Sequence, residues 1–391
     1  MSENAHALLS ASGAHRWLHC TPSARLEETL PEKESEYANE GRLAHEIAEL
    51  KLRKTFTEPM GPRVFNSKLK KLQENPLYQE EMLRHTDAYL EYISNIAHGF
   101  KSRPYIAIEK RLDYSAYAPG GFGTGDCIII SGQVLYVIDF KYGKGVPVSA
   151  FSNPQMMLYA LGAYLEYSFL YAIETVKMAI VQPRLDSISE DEIPTGKLLA
   201  WGEGIKPIAQ KAFRGEGEFL PGNHCQFCRA KALCRARAEF NTSLEEFHMM
   251  KPPLITNEEV GQILLRAQNL SAWVKNLEDY ALSECLQGNE IPGWKAVEGR
   301  SVRQFTSTDE ALNVLLSDGI DEAILYERKP ITLAEIEKLL GKTKFTQLLS
   351  SFVTTPPGKP TLVPMNDKRE PIKRRSAEDD FKNNNGGNEN E

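Results

Sequence analysis

The sequence predicts an α/β fold in which a mixed central β-sheet is flanked by helices. Three short apolar runs of the strand type lie at 105–112, 127–131 and 134–141. A helical pattern follows at 154–167, and a fourth strand-like run occupies 175–182. Helices that alternate in this way with strands pack against the sheet that the strands form. The fourth strand is expected to pair in parallel, because a helix can carry the chain back across the sheet.

Further helices are predicted on both sides of the strand region. Apolar residues recur at helical spacing within 37–54, a second helix is expected at 77–97, and a more polar one at 195–214. The helix that follows the third strand has the clearest start. Asn153 can cap it, and Pro154 occupies the first helical position, where its missing N–H costs nothing.

The composition permits a large core but gives no general support for nucleic-acid binding. The 391 residues are 41% hydrophobic, which is sufficient for at least one sizeable core. The formal net charge is −7, whereas a surface that follows phosphates should be basic at least locally. Two local basic patches could supply such a surface, and solvated helix faces explain them equally well. The patches comprise Lys51, Arg53, Lys54, Arg63, Lys68, Lys70 and Lys71, and Lys101, Arg103, Lys110 and Arg111.

No segment has the sequence features of a membrane span or of a secretory signal. Apolar runs stay short of the ~18 residues that a spanning helix needs. The N-terminal residues lack a charged start followed by an apolar stretch. A cytoplasmic location is therefore expected, in which the six cysteines are thiols or metal ligands rather than disulfides.

Three regions are expected along the chain. The pair Pro252–Pro253 indicates a boundary, so that 1–250 forms the main domain and 251–355 a small C-terminal domain without recognisable chemistry. Between 356 and 391 Pro, Lys, Asp, Asn and Gly dominate. That segment is expected to be a disordered tail, because it cannot bury enough apolar surface to fold.

The strongest chemical signal is a predicted hairpin that carries Asp126, Asp139 and Lys141. Its strands meet at Ser131-Gly132-Gln133, where glycine permits the positive φ of a tight turn. With Gly132-Gln133 as the turn, Asp126 lies opposite Asp139. Carboxylates ~5 Å apart repel each other unless a cation or a proton lies between them. Strand alternation places Lys141 on the same face as Asp139.

Two carboxylates and a lysine at the end of an apolar hairpin suit phosphodiester hydrolysis. Hard oxygen ligands hold Mg²⁺ or Mn²⁺, which polarises the phosphate and activates water. Lys141 is expected to orient that water or to stabilise developing charge. The alternative from spacing alone is that Asp126 is a loop-end acid and that Asp139 and Lys141 form a solvated strand end.

Gly125-Asp126 and Asp139-Phe140-Lys141 resemble the two-part signature of PD-(D/E)XK nucleases related to the RecB nuclease domain. Gly41-Arg42-Leu43-Ala44-His45-Glu46 is similar to the family's histidine motif ahead of the sheet, which implies that His45 is a further metal ligand. Gln155-Met156-Met157-Leu158-Tyr159 matches its Gln-x-x-x-Tyr motif. The resemblance covers roughly residues 8–240 and implies a restriction-endonuclease-like core. It also implies that Gln155 places DNA or the lysine, and that Tyr159 contacts substrate or packs.

Cys225, Cys228 and Cys234 lie within ten residues, a clustering typical of a metal or cluster site. The iron–sulfur type of RecB-like nuclease has one cysteine before the core and three after it. This resemblance, which includes the spacing from Ser10-Ala11-Ser12 to Cys20, implies Cys20 as the fourth ligand. A [4Fe–4S] cluster that staples the two ends of the domain is expected, with a four-cysteine zinc site or unligated thiols as alternatives. Three residues are expected to stand outside that site: Cys127, Cys285 and His224.

The resemblance implies a metal-dependent deoxyribonuclease, with an exonuclease favoured over a flap-type or other endonuclease. The implied setting is a bacteriophage or prophage, with a role in DNA recombination, replication or repair in the cytoplasm of the bacterial host. DNA is the expected partner, and a helicase or a single-strand annealing or binding protein a further one. Two alternatives are a catalytically silent DNA-binding or assembly module and a zinc-stapled protein binder. Polarity, strand preference, cleavage of RNA and oligomeric state stay open.

Overall fold

The computed structural model describes residues 7–31, 36–243, 256–297, 308–317, 325 and 333–353. The chain forms two compact units, Met1–Trp294 and Lys295–Glu391. The first unit extends beyond residue 250, where the sequence predicts the end of the main domain. The tail predicted at 356–391 lies outside the described residues.

A mixed sheet forms the centre of the first unit, as predicted, and it has five strands where four were expected. Its strands follow one another in chain order across the sheet. They are β1 Tyr105–Asp113, β2 Phe122–Ser131, β3 Val134–Phe140, β4 Thr175–Gln182 and β5 Ser187–Pro194. Strands β3 and β4 pair in parallel, whereas the other three pairs are antiparallel. The parallel pairing after the intervening helix confirms the prediction.

Nine α-helices are described in the first unit, and the four predicted helices are among them. They are α1 Ala14–Trp17, α2 Ser23–Glu28, α3 Glu36–Leu52, α4 Pro62–Gln73, α5 Glu81–His98, α6 Pro154–Tyr167, α7 Thr195–Arg214, α8 Arg235–Thr242 and α9 Asn257–Leu286. A π-helical turn, Arg53–Thr57, continues α3. The helices described in the second unit are Thr308–Ser317, Leu333–Leu340 and Lys342–Leu349. None of the described helices has the length and apolar character needed to span a membrane.

The sheet is covered on both faces, and the side chains of β2 show how. Ile128 and Ile130 pack into a core formed with α6 and α7, whereas Cys127 and Ile129 pack into a second core formed with α3 and α5. All four are essentially inaccessible to solvent. Full burial of one such isoleucine stabilises the fold by about 1.5–3 kcal/mol. The hairpin end that carries the aspartates is therefore held rigidly between two layers.

Candidate active site and cysteine cavity

The β2–β3 hairpin has the predicted register. Gly132 adopts a φ of 57°, and the paired residues run from Ser131 with Val134 to Cys127 with Ile138. One further step of the same register sets Asp126 opposite Asp139. The backbone N–H of Phe140 donates a hydrogen bond to Oδ2 of Asp126 at 2.7 Å. This bond fixes the Asp126 carboxylate across the end of the hairpin.

Asp139, Lys141 and Gln155 form one network. Lys141 Nζ lies 3.1 Å from Oδ2 of Asp139 and donates to Oε1 of Gln155 at 3.2 Å. Gln155 Nε2 donates in turn to Oδ1 of Asp139 at 3.2 Å. Asp139 is only 4% exposed, and the Lys141 ammonium is the cationic group that faces its buried Oδ2.

Lys141 is held in its charged form. Burial acts to lower its pKa, but the carboxylates of Asp139 and Asp126 outweigh that effect, so that the pKa is raised above its usual value. A permanently protonated amine cannot accept a proton from water. It can stabilise negative charge that develops on a bound phosphate.

The sequence-predicted His45 lies beside Asp126, together with an acid that sequence reasoning missed. His45 Nδ1 is 3.6 Å from Oδ1 of Asp126. Among the described residues, one group of potential metal ligands has atoms that all lie within 4.8 Å of one another, and it consists of His45, Glu109 and Asp126. Asp139, predicted as a metal ligand, is not a member of this group. It faces the group from the neighbouring strand and is tied to Lys141 and Gln155.

Glu109 enters the site through an unusual backbone conformation. Its neighbours Ile108 and Lys110 pair with Cys127 and Gly125, which sets Glu109 across from Asp126. Its φ is 49°, in the left-handed region that costs a non-glycine residue about 1–2 kcal/mol. Strain of this kind is concentrated at functional sites. The sequence gives no signal that singles out Glu109, because Lys110, Arg111 and Asp113 are charged residues of the same strand.

The site disfavours negative charge unless a cation is present. Burial raises the pKa of Asp126 to about 6, and His45 opposes that effect. Burial, followed by the charges of Asp126 and Glu49, raises the pKa of Glu109 to about 8. Two carboxyls with raised pKa values beside a histidine fit a divalent cation, which would stabilise both ionised forms.

Tyr159 supports the network from α6 and is buried. It is 8% exposed, and Gln155 Nε2 donates to its hydroxyl at 3.5 Å. Its ring lies against Gly123, where an added Cβ would come within 2.7 Å of ring carbon Cε1. Tyr159 is placed to position Gln155. Its burial gives little surface for a substrate to contact.

The four cysteines predicted as cluster ligands line one small cavity. Cys20, Cys225, Cys228 and Cys234 all border a space of about 20 Å³. Burial raises the pKa of the Cys228 thiol to about 12, so that a positively charged group would be needed to hold it as a thiolate. Their sulfur atoms do not form a group within 4.8 Å of one another. Cys127 and Cys285 do not line the cavity.

The chain segments that carry these cysteines are joined by hydrogen bonds. Glu27 of α2 accepts from the Arg16 side chain at 2.8 Å and from the Arg229 backbone N–H at 2.8 Å. Arg25 donates to the carbonyl of Phe213 at 2.7 Å. The N-terminal segment is thus fixed against residues that follow the sheet.

Three histidines stand beside the cavity. His19 and His224 are stacked, with ring centroids 5.5 Å apart and an interplanar angle of 18°. His15 lies 4.8 Å from His19. His224 lines the cavity itself. Its Nε2 contacts the carbonyl oxygen of Leu220 at 2.8 Å. The sequence did not predict this stack, because its members are brought together only by the fold.

Comparison with known families gives one match that spans nearly the whole chain. The family described as "Protein of unknown function (DUF2800)" matches residues 6–370. A solved structure titled "Crystal structure of SSO0001" is 13% identical, with 57% of this chain and 96% of that chain covered and a TM-score of 0.22. A TM-score this low does not show that the two proteins share a fold or a function.

Proposed function

We propose a nuclease function for this chain, which belongs to the family described as "Protein of unknown function (DUF2800)". The proposed activity is hydrolysis of phosphodiester bonds in DNA, dependent on Mg²⁺ or Mn²⁺. The observation that carries it is the convergence of His45, Glu109 and Asp126 beside the charged Lys141. Carboxylates and an imidazole can hold a hard cation, and a buried ammonium can hold an anionic substrate beside it.

The proposed metal ligands are His45, Glu109 and Asp126, with Asp139 as a further one. The fit rests on the closeness of the His45, Glu109 and Asp126 ligand atoms, which all lie within 4.8 Å of one another, and on carboxyls whose pKa values burial raises. When bound, the cation would polarise the phosphate and lower the pKa of a water. Glu109 adds a third carboxylate to the two that Asp126 and Asp139 supply.

Lys141, Gln155 and Tyr159 have distinct roles in this proposal. The Lys141 ammonium stabilises negative charge on the phosphate. Gln155 accepts from Lys141 and donates to Asp139, and so holds both in place. Tyr159 positions Gln155 from the same helix, α6. This arrangement assigns no proton abstraction to the lysine.

The proposed occupant of the cysteine cavity is a [4Fe–4S] cluster, with Cys20, Cys225, Cys228 and Cys234 as ligands. The common cavity that the four cysteines line supports a shared occupant. The resemblance to the iron–sulfur type of RecB-like nuclease favours the cluster over a four-cysteine zinc site. Iron and acid-labile sulfide near four each per chain would support this proposal, and stoichiometric zinc would overturn it.

From the resemblance to RecB-like nucleases we further propose exonuclease action. The same resemblance supports a phage or prophage setting and a helicase or annealing-protein partner.

The test compares unsubstituted protein with Lys141→Ala on end-labelled linear DNA in Mg²⁺ or Mn²⁺. Products that shorten progressively from one end would indicate an exonuclease, and internal fragments an endonuclease. Loss of cleavage in Lys141→Ala, in protein that circular dichroism shows to be folded, is the expected result. Absence of cleavage by both proteins together with retained DNA binding would instead favour a catalytically silent module.

A further inference from the structure

An open groove beside the first strand of the sheet lies outside the candidate active site. Its cavity measures about 600 Å³. It is formed by the π-helical turn Arg53–Thr57, the end of α5 and the first residues of β1. The lining includes two phenylalanines, Phe56 and Phe100. A cavity of this volume is much larger than the voids that imperfect packing leaves inside a protein core.

The groove is basic. Lys101 and Arg103 line it, as does His98, and its lining contains no carboxylate. Both Lys101 and Arg103 are exposed. Neither forms an ion pair with another residue in the part of the chain that the structure describes. Arg103 makes one backbone contact, to the carbonyl of Phe56 at 3.4 Å.

Several other members of the predicted basic patches are neutralised. Lys51 is buried against Asp87, Arg53 pairs with Glu49 and Glu58, and Lys110 pairs with Glu166. In the second patch, the positive charge of Lys101 and Arg103 in the groove stays available to a partner, as does that of Arg111, which lies over the Phe122 ring.

The groove and the candidate active site lie along the same strand, β1. Tyr105 lines the groove, and Glu109 stands four residues further along that strand. At ~3.3 Å per residue this separation is about 13 Å, roughly four stacked nucleotides at 3.4 Å each. The π-helical turn that borders the groove also packs against β1. Single-turn π-helical segments are frequent at functional sites.

We propose that this groove binds a single-stranded segment of DNA whose other end reaches the active site. The inference rests on the proposed nuclease function and adds the substrate form. Lys101 and Arg103 would contact phosphates, and Phe56 and Phe100 would offer aromatic surfaces to bases. Bases of a duplex are stacked on their neighbours, whereas those of a single strand can stack on aromatic side chains.

The experiment measures binding of fluorescently labelled single-stranded and duplex DNA by anisotropy, in metal-free buffer and on a Lys141→Ala background. The groove variant is Lys101→Gln with Arg103→Gln. Its matched control is Lys197→Gln with Lys211→Gln, which removes two charges from exposed positions of α7. Helix α7 contacts β4 and β5, at the opposite edge of the sheet from β1. A third variant, Phe56→Leu, keeps apolar volume and removes the ring. Thermal unfolding checks that all variants are folded.

The groove variant is expected to bind single-stranded DNA about tenfold more weakly than the control. The slope of log affinity against log salt should fall by about 1.4, the value for two lost phosphate contacts to a single strand. Phe56→Leu should weaken binding with an unchanged slope, and duplex affinity should change less in every case. Equal affinity and slope in the groove variant would overturn the proposal, as would an equal loss for duplex DNA. A loss specific to single strands in a chain that cleaves nothing would retain the groove and overturn the nuclease function.

Discussion

At the scale of single residues, Glu109 reaches the candidate metal site through a strained backbone conformation. A regular strand conformation requires negative φ, whereas Glu109 has a φ of 49° and lies across from Asp126. The sequence predicted Asp126, Asp139 and Lys141 from the hairpin, because a two-residue turn fixes their register. The connection between β1 and β2 spans 114–121, which fixes no register, and so Glu109 could not be assigned from the sequence.

Glu109→Gln is expected to weaken Mn²⁺ binding by at least tenfold, because it replaces a charged ligand by a neutral one of the same size. Isothermal titration calorimetry measures the affinity. Glu46→Gln is the control, since Glu46 is exposed on α3 and lies outside the ligand group. Equal Mn²⁺ affinity in Glu109→Gln and the control would exclude Glu109 as a ligand.

Stability in a chelating buffer should depend on pH through Asp126 and Glu109. Their pKa values rise on folding from 3.8 to about 6 and from 4.5 to about 8. A raised carboxyl pKa contributes stability that is present below the unfolded value and is lost as pH rises through the folded value. The melting temperature of metal-free protein should therefore fall between pH ~4 and ~8.

Glu109→Gln should remove the upper part of that pH dependence, and added Mn²⁺ should reverse it, since the metal binds the ionised forms. Thermal unfolding across this pH range, with and without chelator, measures both effects. A melting temperature that rises steadily toward pH 8 in chelator would contradict the expected direction of the pH dependence.

At the scale of elements, the start of α6 was predictable, whereas β5 and α4 are among the elements that were not. Asn153 caps α6 through its side chain, which accepts from the backbone N–H groups of Gln155 and Met156, and Pro154 occupies the first position as expected. Strand β5 lies at the sheet edge and contains three consecutive acidic residues, Glu190 to Glu192, so that it lacks the apolar run that revealed the other four. Helix α4 has no buried residue, and its lysines resemble a solvated segment.

Asn153→Ala should lower the free energy of unfolding by about 1 kcal/mol, the usual cost of losing an N-cap. Because Gln155 occupies the first turn of α6, cleavage should fall by more than the loss of folded protein explains. Asn153→Asp keeps the cap and serves as the control. Urea denaturation and initial cleavage rates measure the two effects. A destabilised variant with an unchanged rate per folded molecule would show that the cap does not position Gln155.

At the scale of the whole molecule, the first unit joins residues far apart in sequence. Thr21 donates to the carbonyl of Glu216 at 2.5 Å, and Arg229 donates to Glu27. The resemblance to the iron–sulfur type of RecB-like nuclease implied such a junction, and the four cysteines do line a common cavity. The histidines beside it and the extension of the unit past residue 250 depend on tertiary packing, which no local pattern encodes.

Cys228→Ala is expected to destabilise the protein by about 3 kcal/mol or more, the range in which loss of a metal site falls. It should also abolish visible absorbance from the cluster while leaving the active-site residues in place. Cys285→Ala, outside the cavity, is the control and should alter neither. Denaturant unfolding and absorbance of anaerobically purified protein provide the measurements. A stable and colourless Cys228→Ala beside a colourless parent would exclude the cluster as a staple.

The central claim is that His45, Glu109 and Asp126 hold the cation on which DNA cleavage depends. The most direct measurement is a Mn²⁺ titration of unsubstituted protein and Asp126→Asn in which metal binding and hydrolysis of labelled DNA are followed in the same samples. In the unsubstituted protein, hydrolysis is expected to rise with Mn²⁺ occupancy, and Asp126→Asn is expected to lose both. Cleavage by Asp126→Asn at the full rate, or Mn²⁺ binding without any hydrolysis in the unsubstituted protein, would contradict the claim.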